Sequence, residues 1–378
     1  LSIALPFGLL TYLFLAKFQA HRDMKKFMIT DLSWPWTRLF VAIILVYLGL
    51  GVFGAVFSFA IGFFVATLIG LIIYHPSKIS AKSASGPKFT HLISFGSAAF
   101  VPYFIGGLIF TIDSILIGVF KEISDVGYYA VGSLIAIILI EAPIILETVL
   151  FPAVSQAYVN ESEKISKYFQ FSLKYLIYLI VPIFLGAIFL TEPIISLLFG
   201  LKFLPSKPVL QILSLGFAMF AIFILTRGFF NGIGKPREPM KISIFALILI
   251  IILSLVLIPL YGIIGCAIGV SISLSLAGIL GVARLSKYIK LKVPIDGLAK
   301  GFFAAFVMVG VILFMKPWYG FILLVEILIL AFVYFFILII VKGFNKEDLD
   351  LFKKASEFLP LNKQINSTLE FIRRLGRI

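Results

Sequence analysis

Long apolar stretches recur along this chain at about 20 residues each, the length a helix needs to cross a bilayer, and the breaks between them are rich in lysine and arginine. Lipid offers no partner to a bare N–H or C=O, so only helices and closed barrels can cross it. These stretches are too long for membrane strands, which need about 9–11 residues. The expected fold class is therefore all-α, a polytopic transmembrane helical bundle. Helices are read near 1–16, 38–51, 53–74, 91–119, 126–152, 165–190, 207–230, 240–259, 261–284, 297–315 and 318–341. Short breaks make 38–51/53–74 and 240–259/261–284 tight antiparallel hairpins.

Composition excludes a soluble fold: 61% of residues are hydrophobic and 13% charged, against about 25% charged in soluble chains. The net charge of +14 is then a question of topology and not a sign of nucleic-acid binding. With 17–38 placed on the cytoplasmic side and strict alternation, 28 of the 32 Lys and Arg fall in inner segments. The outer segments hold Lys121, Lys202, Lys207 and Lys316. That asymmetry predicts a multi-pass protein of the cell membrane with a cytoplasmic C-terminus.

One cysteine, Cys266, excludes an internal disulfide, and three scattered histidines form no metal-ligand pattern. No cofactor is expected. Gly49-Leu50-Gly51-Val52-Phe53-Gly54 fits a dinucleotide fingerprint in letters only, since it lies in an apolar hairpin and follows no strand.

An internal repeat is legible. Phe18-Gln19-Ala20 ends one helix and Phe230-Asn231-Gly232 another; a basic break and a helix follow each, and then a glycine motif at Gly51 or at Gly262. The offset is about 212 residues. It leads to an expected division into 1–87, the remainder of an N-terminal lobe of about three helices; 88–292, a six-helix C-terminal lobe; 293–344, two further transmembrane helices; and 345–378, an amphipathic cytoplasmic tail. The same offset suggests that roughly three helices precede Leu1.

Carboxylates in lipid are costly and mark the place to look for function. Asp113 lies well inside its segment. It reads either as a proton or sodium site or as a structural interhelical hydrogen bond. Glu141 and Glu147 are about 240° apart on one helix, so one wet face cannot hold both. Glu141, two residues before Pro143, is placed on the wet interior face, and Glu147 at the interface. Lys174 and Arg227 occupy inner helix portions. They read as cavity cations or as side chains snorkelling to the cytoplasmic surface. Tyr128, Tyr129, Trp318 and Tyr319 fit an outer aromatic belt, and Trp34 and Trp36 an inner one. Glu326 reads as structural.

Several of these motifs together resemble the MOP superfamily of multidrug, oligosaccharidyl-lipid and polysaccharide exporters, in its polysaccharide-transport or O-antigen flippase branch. They are Asp113-Ser114-Ile115-Leu116-Ile117-Gly118 with Val126-Gly127-Tyr128-Tyr129, Leu150-Phe151-Pro152-Ala153-Val154-Ser155, Asn231-Gly232-Ile233-Gly234-Lys235-Pro236, and Ile258-Pro259-Leu260-Tyr261-Gly262 with Gly265-Cys266-Ala267. The resemblance implies two pseudo-symmetric six-helix lobes, the first incomplete here, plus two C-terminal helices. It implies a transporter and not an enzyme, a flippase moving an isoprenoid-linked oligosaccharide between leaflets with membrane lipids as surroundings and a proton or sodium as coupling ion. A cation-coupled multidrug antiporter of the same superfamily is the alternative. A membrane-bound glycosyl or acyl transferase is the reading from another class, and it lacks a polar cluster at a membrane face.

Overall fold

The computed structural model describes residues 4–21, 23–74, 89–160 and 162–345. The amphipathic tail read at 345–378 lies outside the described residues apart from Asn345. The described chain is helical, and it divides into two compact units, Leu1–His91 and Leu92–Ile378.

Among its described residues the first unit has the helices α1 (Ala4–Ala20), α2 (Met24–Leu45) and α3 (Gly51–Ile73). The buried residues of α3 are Gly54, Ser58, Gly62, Ala66, Thr67 and Gly70, all small. Lipid is as apolar as leucine, so membrane helices gain by approaching closely, and small residues permit it. A Cβ on Gly62 would stand 2.8 Å from the Trp34 carbonyl oxygen, and one on Gly70 would stand 2.7 Å from the Phe14 ring.

One expectation needs correcting here. The helix read at 38–51 begins at Met24, where the Asp23 side chain accepts the Lys26 N–H at 3.3 Å. Hydropathy starts a helix where charges stop; the backbone starts where a cap satisfies its first N–H groups. Arg38 thus moves from a loop into the body of α2, and the inner loops lose one cation.

In the second unit the helices are α4 (Phe89–Phe120), α5 (Ile123–Ala136), α6 (Glu141–Asn160), α7 (Ser162–Phe189), α8 (Thr191–Leu198), α9 (Lys207–Gly232), α10 (Arg237–Leu285), α11 (Ile295–Met315) and α12 (Ile322–Ile340). The single helix read at 126–152 is two, joined by a 3-10 turn at Ile137–Ile140. Pro143 is the cause: its ring opposes the carbonyl of Leu139 and it has no N–H to donate. Helix α9 is the axis. Eighteen of its 26 residues are buried, and α5, α6, α7 and α10 pack around it. Helices α11 and α12 form a second apolar cluster with α7, where the Tyr178 hydroxyl donates to the Gly343 carbonyl at 2.8 Å.

The repeat is present in the backbone. Helix α10 folds back at Gly262 (φ 61, ψ −139), and the α2–α3 hairpin turns at Gly51 (φ 48, ψ −128). Only glycine enters that region without strain. Contacts beyond the turns correspond as well. Thr67 meets the Phe7 carbonyl in one unit, and Gly278 packs on the Met219 carbonyl in the other. Gly70 packs on Phe14 and Gly281 on Thr226.

Among the described residues eight segments are long and apolar enough to cross a membrane. Two of them, Met24–Ile73 and Arg237–Leu285, are the folded hairpins, and α1 adds a shorter apolar helix. With the hairpin limbs counted separately, the architecture is the expected all-α polytopic bundle.

Candidate functional site

On helix α4, Tyr103 and Asp113 lie about 15 Å apart along the axis. Each meets a different set of neighbours.

At Tyr103 the neighbours are charged. Arg227 of α9 grips Glu147 of α6 with both prongs of its guanidinium: Nε to Oε1 at 2.9 Å and Nη2 to Oε2 at 2.5 Å. The Tyr103 hydroxyl donates to the same Oε1 at 3.0 Å, and its ring lies 4.1 Å from the guanidinium carbon. Glu147 is 4% exposed and Arg227 5%. Gly228 leaves room for the pair, since a Cβ there would stand 3.0 Å from Glu147 Cγ. A bidentate pair in this setting is held as a unit, because removing one partner strands the other.

Glu141 and Glu147 meet different surroundings, and for Glu147 the interface reading needs correcting. Glu147 turns inward to Arg227 and is no interface charge, whereas Glu141, at the first position of α6, is exposed. Which carboxylate faces in is decided by the position of α9, and the sequence of α6 alone does not carry it.

At Asp113 the neighbours are neutral. The residue is 5% exposed, and its Oδ1 accepts the Ser114 N–H at 2.7 Å. Tyr129 of α5 adjoins it and also Cys266 of α10. The Tyr129 hydroxyl makes no hydrogen bond of full geometry. Cys266 Sγ lies 3.8 Å from Ser254 Oγ. Asp113, Tyr129, Cys266 and Ser254 form a buried polar string across three helices, with no cation within ion-pair distance of Asp113 among the described residues. Tyr129 is fully buried, so it is no part of an aromatic belt.

Lys174 of α7 is 5% exposed and packs in the seam with α11. Its ammonium lies 5.6 Å from the Tyr178 ring, and its Cγ would stand 3.3 Å from a Cβ on Gly297. It does not join Arg227. Glu326 of α12, fully buried, accepts the Trp318 N–H at 2.7 Å and closes the α11–α12 turn.

Outside the spans, Glu192 at the start of α8 accepts from Lys207 Nζ at 3.1 Å and from the Tyr319 hydroxyl at 3.1 Å. Its hydrogen bond to Lys207 holds the carboxyl below the usual glutamate range, and Tyr319 adds to this.

Arg38 was missed by sequence reasoning. About 20 Å of helix separates it from Lys25 and about 18 Å from Leu50, so it lies near the middle of a span. A side chain there is far from both ends of its helix. An unpaired arginine at mid-span costs about 2.5–3.5 kcal/mol on insertion scales. Measuring the distance to Gly51 in the sequence, rather than to the last charge, would have found it.

Among the described residues no group of three His, Cys, Asp or Glu side chains is placed to hold a metal.

Comparison with known proteins adds relatives to this geometry. The chain is 25% identical to the probable low-salt glycan biosynthesis flippase Agl15 of Haloferax volcanii over 73% of its own length and 58% of that protein's. It is likewise 25% identical to the probable flippase AglR of the same organism, over 74% of this chain and 59% of the relative. The chain thus spans less than two thirds of either. In fold it is similar to the lipid II flippase MurJ in an inward closed conformation, with a TM-score of 0.63 at 22% identity, covering 89% of this chain and 71% of that one. Residues 1–208 match the family described as polysaccharide biosynthesis protein, so a multi-pass helical chain with charges sealed inside its second unit belongs to that family.

Proposed function

We propose that this chain belongs to a transporter that moves an isoprenoid-linked oligosaccharide from the cytoplasmic to the outer leaflet by alternating access. The observation that carries the reading is the retention of charge inside apolar helices: Asp113 among neutral groups, and Glu147 with Arg227 one cluster further along α4. Lipid penalises both placements, and a protein that moves a polar head group through the membrane has a use for them. The two relatives named as flippases support it. Repeated hairpins in two units suit a two-lobe exchanger, with 1–87 and 88–292 as its lobes. The inner bias of Lys and Arg supports a cytoplasmic C-terminus.

In this reading Asp113 binds the coupling ion. A buried carboxyl with only Ser114, Tyr129 and Cys266 about it can take a proton without breaking an ion pair, and it can do so once per cycle. Arg227 serves the anionic head group when Glu147 releases it, Glu141 faces the aqueous path where α6 begins, and Lys174 couples the terminal helices to the lobe.

The test uses the full-length protein in liposomes, with a fluorescent polyprenyl-diphosphate oligosaccharide placed in one leaflet and followed by quencher access. The wild type is expected to transfer the probe, and Asp113→Asn to transfer it more slowly with unchanged melting. Wild-type efflux of a cationic dye without lipid transfer would overturn the proposal in favour of an antiporter.

A further inference from the structure

Of Glu147, Arg227 and Tyr103, only the last opens outward. The two charged residues are 4% and 5% exposed, whereas Tyr103 is 51% exposed. Its hydroxyl donates to Glu147 Oε1 at 3.0 Å, the atom that also receives Arg227 Nε at 2.9 Å. Its ring centre lies 4.1 Å from the guanidinium carbon. One side chain thus holds the carboxylate by its tip and covers the cation by its face. Both contacts come from α4, whereas the pair itself joins α6 to α9. Tyr103 can leave the pair while both helices that carry the charges stay in place.

A second observation is independent of these contacts. Gly106 and Gly107 follow Tyr103 by one turn on the same side of α4, and a Cβ on either would meet nothing within 4 Å. On α9, by contrast, a Cβ on Gly228 would stand 3.0 Å from Glu147 Cγ. The pair is packed closely on its α9 side, and the turn of α4 next to Tyr103 borders open space. The Tyr103 ring therefore has room to turn out by a side-chain rotation, with no repacking of the core around the charges.

We propose that Tyr103 is the latch of this pair: a positioning residue that keeps Arg227 on Glu147 while it lies in place and uncovers the guanidinium when it turns out. This deepens the transport reading, in which Glu147 releases Arg227, and rests on it only for the use to which the freed guanidinium is put. A sealed bidentate pair has little tendency to part, because parting strands two charges. With Tyr103 turned out, the carboxylate loses its third hydrogen bond and the guanidinium its cover in one movement. Release of the charges is then governed by a neutral side chain, which changes surroundings at far smaller cost than an ion.

The test is labelling of the full-length protein with phenylglyoxal, a dicarbonyl that condenses with accessible guanidinium groups, read at Arg227 by peptide mass spectrometry. Arg284, whose side chain is 52% exposed, is the internal reference. A buried group reacts through its open population, so the rate at Arg227 relative to Arg284 reads how often the latch is out. The wild type is expected to label slowly. Tyr103→Phe keeps the ring and removes the hydroxyl. Loss of a hydrogen bond to a charged group should raise the relative rate on the order of tenfold. Tyr103→Ala removes the cover as well and should raise it further. Equal rates in wild type and Tyr103→Phe overturn the latch, as do equal rates in wild type and Tyr103→Ala. Lys174, 5% exposed in the seam with α11, reports general loosening through an amine reagent, and a parallel rise there overturns the latch too. Labelling does not depend on transfer. A wild type that labels as expected but moves no polyprenyl-diphosphate oligosaccharide keeps the latch and loses the transport reading. Transfer with equal labelling of wild type and Tyr103→Phe keeps the transport reading and loses the latch.

Discussion

Glu147 and Arg227 show how a membrane interior treats charge at the level of single residues. Two hydrogen bonds join them, and the Tyr103 hydroxyl adds a third to the same carboxylate. Arg227→Ala strands a carboxylate between α6 and α9, and Glu147→Gln strands a guanidinium. Each is expected to cost about 3–5 kcal/mol, measured as lost unfolding free energy in detergent. The double change Glu147→Met with Arg227→Leu removes both charges and should cost clearly less than the sum of the singles. The residue scale is also where the sequence was least legible. Asp113 stood out because a lone acid in apolar surroundings is visible in one dimension. Its neighbours Tyr129, Cys266 and Ser254 were not, since they come from other helices and only packing brings them together. Tyr129 was read as a belt residue from its nearness to a helix end, a property that says nothing of the direction its ring faces.

At the scale of elements the glycines decide. Gly51 and Gly262 hold backbone conformations that an L side chain enters only under strain. Gly262→Ala should lose about 1–3 kcal/mol of stability, read from the thermal unfolding of the purified protein. Gly310 in α11 has neither a positive φ nor a neighbour within 4 Å of a Cβ, and Gly310→Ala should be neutral or stabilising by up to about 1 kcal/mol. Loss of stability at Gly310 equal to that at Gly262 would refute the assignment. These hairpins were legible in the sequence because a short glycine-bearing break between two apolar runs leaves the chain no other course. Helix starts were less so. Met24 opens α2 among charged residues, against the hydropathy signal, because Asp23 caps it. The break in α5–α6 was signalled by Pro143, but its extent was set by how far the chain tightens into a 3-10 turn.

For the whole molecule, the terminal pair α11–α12 is tied to the rest of the second unit at both ends. Tyr178 holds Gly343 at one, and Glu192, Lys207 and Tyr319 meet at the other. The carboxyl of Glu192 has a folded-state pKa below its ordinary value, so the tie it makes is present at neutral pH. It is lost as pH falls through that lowered value, under the ordinary carboxylate range of about 4.3. Spin labels on α8 and on the α11–α12 turn should therefore report one narrow distance at pH 7 and a broader distribution once the pH has fallen through that lowered value. Glu192→Gln should show the broad distribution already at pH 7. A narrow distance for that variant would mean that apolar packing alone seats the pair.

The two glycine hairpins have a mechanical consequence. Each brings its limbs so close that side chains interlock with the opposite backbone, as at Gly54 against Leu45 and Gly269 against Leu253. Limbs meshed in this way cannot slide along each other without first separating. A hairpin of this kind moves as one stiff lever, and any motion that opens or closes the protein is confined to the joints between levers.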